Sequence, residues 1–77
     1  LEKLLSLNMF LFDEEYKVSE ILKMLEKDGW ILYKQRGSHR QFKHAEKSGK
    51  VTVNNKPGDT LSQEILNSIF KQAGWKK

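Results

Sequence analysis

In the segment Val18–Leu25 ("VSEILKML") the apolar side chains fall at 18, 21, 22 and 25. That spacing places them on one stripe of a 3.6-residue period and predicts a helix. Ser19 is the expected N-cap, with Glu20 in the first turn, and Gly29 suits the left-handed position that ends a helix. The period then changes. Trp30–Arg36 ("WILYKQR") is rich in aromatic and β-branched residues, Gly37-Ser38 is a two-residue turn, and His39–His44 alternates. Lys47-Ser48-Gly49 makes a second turn, and Lys50–Asn54 alternates again. After a loop over 55–59, Thr60 is the expected cap of a capping box closed by Gln63. Leu61, Ile65, Leu66, Ile69, Phe70 and Ala73 form the last helical stripe, and Gly74 ends it. The pattern predicts helix, three strands, helix. Each helix has an apolar stripe to bury, so the expected fold is α+β: a three-stranded antiparallel meander with both helices on one face.

Alternation then assigns faces within the second strand. Phe42 must point to the core, and Arg40 and His44 share its side, near the strand ends where they can escape to water. His39, Gln41 and Lys43 point to the face without helices.

Composition narrows this picture. Seventy-seven residues make one domain at most, with a modest core. There is no cysteine, so neither a disulfide nor a thiolate–metal site can reinforce it, and a cytoplasmic location is expected. Leu1–Phe12 ("LEKLLSLNMFLF") is apolar, but it carries Asn8 and runs into Asp13-Glu14-Glu15 without a small-residue cleavage site. It is read as neither a signal peptide nor a membrane span. Residues 1–15 are an extension, either foreign to the domain or an element that packs on it or on a partner; the domain is expected over 16–77.

Charge is more informative. The net charge is +4, but residues 1–33 carry −3, residues 34–56 carry +6 and residues 57–77 carry +1. A basic middle with near-neutral or acidic ends is the footprint of a polyanion contact, although a solvated lysine-rich hairpin has the same composition.

The candidate chemistry sits in "RGSHRQFKH", residues 36–44. His39 and His44 point to opposite faces and stand roughly 16 Å apart along a strand. They cannot share a metal held at about 2 Å, nor act as acid and base on one phosphodiester. One histidine must act alone. His39 is the better candidate, because it follows the turn, faces outward, and has Lys34, Arg36, Arg40 and Lys43 close in sequence. An imidazole titrates near neutral pH, so it can give or take a proton. His44 reads as structural. On residue types alone His39 could equally be an exposed turn histidine.

The order helix–"EKDGW"–strand–"KQRGSHRQFKH"–turn–"GKVTV"–loop–"LNSIFKQAG" closely resembles the HicA-type toxins of HicA–HicB toxin–antitoxin modules. The resemblance covers about Tyr16 to Trp75. It implies a fold like the double-stranded-RNA-binding domain, an mRNA endoribonuclease, and an essential histidine at the Gly-Ser-His step, here His39. It also implies a HicB antitoxin that covers the histidine-bearing face, and no metal or other cofactor. Many members carry a second histidine just after the third strand. This chain has Asn54-Asn55-Lys56-Pro57 there, so none carries over, and Lys56 would supply positive charge instead. The expected site is therefore catalytic His39, with Lys34, Arg36, Gly37, Ser38, Arg40, Lys43 and Lys56 against RNA phosphates. A non-catalytic RNA-binding module is the alternative.

Overall fold

A computed structural model of the chain describes residues 15–76; the reading of the apolar N-terminal segment lies outside them, apart from Glu15. The elements are α1 (Val18–Lys27), β1 (Trp30–Arg36), β2 (His39–His44), β3 (Val51–Val53) and α2 (Gln63–Ala73). The strands form one antiparallel sheet in the order β1-β2-β3. α1 lies against β1 and α2 against β3, and both helices share one core with the sheet. This is the α+β architecture that the period changes predict, with the double-stranded-RNA-binding-domain-like topology. No helix of the described residues is long and apolar enough to cross a membrane.

Val18, Ile21 and Leu25 of α1, Val51 and Val53 of β3, and Leu66 and Ile69 of α2 are almost fully buried. Phe42 and Trp30 close the middle of the same cluster. Burying each such side chain contributes about 1.5–3 kcal/mol. In a chain with no cysteine this cluster carries most of the stabilisation. Ile65 departs from its expected place in the α2 stripe and is 43% exposed. Leu61, the first residue of the expected stripe, lies before the helix begins. The buried face is therefore set by Leu66, Ile69, Phe70 and Ala73, and Ile65 falls beside it.

Both expected N-caps are displaced. α1 is capped at Lys17, not Ser19: the Glu20 carboxylate accepts from the Lys17 N–H at 2.8 Å. The Val18 and Ser19 N–H groups donate to the carbonyls of Asp59 and Pro57 at 2.9 and 3.0 Å. A loop distant in sequence satisfies donors that a serine cap would otherwise take. α2 is capped by Ser62, whose hydroxyl accepts from the Ile65 N–H, and not by Thr60, which bridges to Lys17 instead.

The far end of α1 is tied down by Asp28. Its Oδ2 accepts from Lys47 Nζ at 2.8 Å, Trp75 Nε1 at 2.9 Å and Trp30 Nε1 at 3.0 Å. Lys47 Nζ also donates to the Ala73 carbonyl. One carboxylate thus joins the ends of both helices, the start of β1 and the β2–β3 loop. The Lys47 ammonium, and then the Trp75 and Trp30 indoles, hold the Asp28 carboxyl down to about 2 from its ordinary 3.8, against an opposing effect of partial burial. Because the folded-state value is the lower one, this contribution is present above about pH 4 and is lost as pH falls toward 2. The melting temperature of the wild type should fall as pH drops across that window, and Asp28→Asn should flatten this part of the profile. Parallel pH profiles for the two proteins would remove Asp28 from the acid limb.

Beside it, His44 has a structural place. Its Nδ1 accepts from the Glu46 and Lys47 N–H groups at 2.9 and 3.2 Å, so the ring proton sits on Nε2 and donates to the Asp28 carbonyl at 2.6 Å. The ring meets Trp30 edge-on, 5.1 Å between centroids. A Cβ on Gly29 would lie 2.9 Å from His44 Nε2, and Gly29 has φ +97°. Glycine is therefore required there twice, for the left-handed turn and for the approach of the imidazole.

Candidate nucleic-acid site on the open sheet face

β1 and β2 pair Trp30 with His44, Ile31 with Lys43 and Leu32 with Phe42, after which Lys34 pairs with Gln41, Gln35 with Arg40 and Arg36 with His39. Tyr33 is the extra residue of a β-bulge. The consequence for the site is large. A regular strand alternating from Trp30 would send Lys34 and Arg36 to the helix side with Leu32. The inserted residue resets the alternation, so Lys34 and Arg36 come to the open face with their partners Gln41 and His39. These four side chains line one concavity of about 350 Å³. Among the described residues lining it there is no carboxylate.

The turn that joins the strands has Gly37 at φ +60°, while Ser38 has no positive φ. A positive φ at the first central position only is the mark of a type II′ hairpin turn, which places glycine first. No atom lies within 4 Å of where a Gly37 Cβ would be, so the space beside the turn backbone is open. Two side chains from the helix-facing positions hold the turn from behind. Gln35 Nε2 donates to the Gly37 carbonyl at 3.0 Å, and Arg40 Nη1 to the Ser38 carbonyl at 3.3 Å.

Arg40 corrects the sequence reading. It does not escape to water: only 9% of it is exposed, the one charged residue among the buried positions described. Its guanidinium also donates to the Asn55 carbonyl at 3.0 Å. The Gly37-Ser38 turn and the loop after β3 therefore share one buried cation, and the helix side of β2 uses it as a structural clamp. Asn55, whose φ is +77°, is placed by the same contact. Lys56 follows it, exposed, its N–H held by Asp59 Oδ2 at 3.1 Å; it does not line the concavity.

Of the residues expected from sequence, the fold brings together His39, Lys34 and Arg36, with Gly37 and Ser38 forming the adjacent turn. Lys43 is displaced toward the other end of the sheet, with its Nζ over the Tyr33 ring, 4.9 Å from the centroid. Two residues of the face were not singled out by sequence. Gln41 lines the concavity, and Tyr33 donates its hydroxyl hydrogen to Gln41 Oε1 at 2.9 Å. Alternation places Gln41 on this face, but an amide has no chemistry of its own to draw notice. Tyr33 is there through the bulge. Among the described residues no group of three His, Cys, Asp or Glu side chains is gathered as a metal site would need.

Residues 18–75, from the first residue of α1 to just past α2, match the model of a protein family described as HicA toxin of bacterial toxin–antitoxin. The chain belongs to the HicA toxin family. The match spans all five elements and the whole concavity. No curated protein matches the chain. As a HicA-family member it is the toxin half of a toxin–antitoxin module, and its counterpart is an antitoxin.

Proposed function

We propose that this HicA toxin is an endoribonuclease that cleaves mRNA, with His39 as its proton-transfer residue and without a metal, and that a HicB-type antitoxin covering the His39 face silences it. The observation that carries this reading is the concavity in which an exposed imidazole faces Lys34 and Arg36, brought there by the β1 bulge. An RNA strand supplies its own nucleophile. Attack of a ribose 2′-oxygen on the adjacent phosphorus forms a cyclic phosphate and breaks the bond to the 5′-oxygen. The 2′-hydroxyl loses a proton and the 5′-oxygen gains one. His39 is in place for one of these transfers, as base or as acid, and water serves the other. Lys34 and Arg36 offset the negative charge that builds on the phosphorane. The open backbone at Gly37-Ser38 gives a phosphate room to approach, Lys43 extends the positive surface along β2, and Lys56 adds an exposed cation on the loop after β3. Arg40 contributes here by holding the turn. An antitoxin with an acidic surface fits the same face by charge.

The test uses purified protein and a long mRNA in the presence of chelator. The expected result is cleavage that persists with chelator and leaves 5′-hydroxyl ends, together with growth arrest on induced expression that co-expressed antitoxin relieves. Salt-dependent RNA binding with no cleavage would sink the nuclease reading and leave a non-catalytic RNA-binding module.

A further inference from the structure

The open face does not end at the His39 concavity. A second one, of about 570 Å³, lies farther along the strands and is lined by Tyr33, Lys43, His44, Lys47, Gly49 and Lys50. Lys47 is engaged by Asp28 and Ala73, so Lys43 and Lys50 are its available cations. Between the two concavities stands Tyr33, 44% exposed, with Ile31, 66% exposed, beside it on the same face. From His39 to Lys43 is about 13 Å along the strand, so the two basic concavities are a short run of nucleotides apart.

Tyr33 is not a loose surface aromatic. Its hydroxyl is anchored to Gln41, which lines the first concavity, and its ring carries the Lys43 ammonium, which lines the second. The bulge sets its orientation. A half-exposed ring anchored by its hydroxyl, with a cation on its face and basic hollows on either side, has the make-up of a stacking platform: sequence-tolerant binding of single strands combines cations that track the backbone with an aromatic face for a base. A duplex keeps its bases in the stack and presents phosphates and 2′-hydroxyls, to which an exposed ring adds nothing.

We propose that Tyr33, anchored by Gln41 and covered by the Lys43 ammonium in the free protein, is a base-stacking platform, and that with Lys43 and Lys50 it forms a second nucleotide subsite that admits RNA as a single strand. The phosphate beyond the stacked base draws Lys43 off the ring and sits between Lys43 and Lys50. This rests on the proposed nuclease reading for the position of the scissile phosphate at His39, but it is tested by binding, independently of cleavage.

The experiment uses the full chain carrying His39→Ala, so that the RNA survives, and single-stranded oligonucleotides in which the fluorescent base 2-aminopurine is walked along the sequence. The same strands annealed to their complement are the comparison. At one register the fluorescence should be quenched on binding, as stacking requires, and the duplex should bind more weakly. Adding Tyr33→Ala should abolish that quench and weaken single-strand affinity by about 5- to 150-fold, the range expected for one stacked base. Tyr33→Phe, which keeps the ring, should retain the quench. Thermal melts of each variant check the fold. The proposal is overturned if Tyr33→Ala leaves both quench and affinity unchanged, or if duplex and single strand bind equally. Equal cleavage by wild type and His39→Ala would overturn the single-histidine role instead, and the quench, read on strands made uncleavable by 2′-O-methyl riboses, would still decide the platform.

Discussion

His39→Ala should keep the fold and lose RNA cleavage by about 10²–10⁴-fold, the usual contribution of a positioned acid or base. Loss of growth arrest on expression should accompany it. The fold is expected to survive because His39 is exposed at the first position of β2 and packs into no part of the buried cluster. Binding should change much less than cleavage, since Lys34, Arg36 and Lys43 remain to meet phosphates. That split between binding and turnover separates a chemical role from a general loss of positive surface. A parallel series with Lys34→Ala and Arg36→Ala should show the opposite balance: weaker binding, and a shallower dependence of affinity on salt, because each removed cation releases one fewer counterion. Cleavage by His39→Ala within threefold of wild type, with a normal melt, would end the single-histidine mechanism.

Arg40→Ala should destabilise the domain by about 2–4 kcal/mol, seen as a fall in melting temperature of at least about 8 °C. The magnitude follows from its buried position and its two carbonyl partners. Removing the guanidinium leaves the Ser38 and Asn55 carbonyls without their charged donor, and a hydrogen bond to a charged group is worth more than a neutral one. A domain of this size has on the order of 4–12 kcal/mol in total, so the loss is a large share. Activity should fall as well, because the clamp positions the turn that precedes His39. Arg40→Lys should not rescue fully: a single ammonium on a flexible stem lacks the planar fork that reaches two carbonyls. If Arg40 were instead a phosphate contact, Arg40→Ala would melt like the wild type and lose only RNA affinity.

These two positions show how unevenly the chain reveals itself. His39 and Arg40 are neighbours in one strand, and period-2 alternation alone puts them on opposite faces. What alternation cannot say is whether a long cation on the core side reaches water or a buried carbonyl. That depends on the loop after β3, fifteen residues away in sequence, arriving with the Asn55 carbonyl exposed to it. The cap of α1 is the same kind of case. Ser19 was the local candidate, but the Pro57 and Asp59 carbonyls reached the helix end first. The Asp28 hub is likewise silent in sequence, since its donors come from positions 30, 47 and 75. The bulge at Tyr33 is the most consequential of these. Nothing in "WILYKQR" marks it, because no glycine or proline stands there, and without it Lys34 and Arg36 would be assigned to the wrong face.

Legible in the residues alone are the set of elements, their order, the left-handed glycine at 29, the hairpin turn before His39 and the outward face of that histidine. Each of these follows from local periodicity or from a residue whose backbone freedom is unusual, and local rules act over a few residues. Packing in three dimensions settles which cations stand around His39 and which are buried. It also settles which groups cap the helices, and that a tyrosine occupies the ground between two basic hollows. Those outcomes depend on strand register and on carbonyls delivered by distant loops, and register is a property of a pair of strands, not of either one alone.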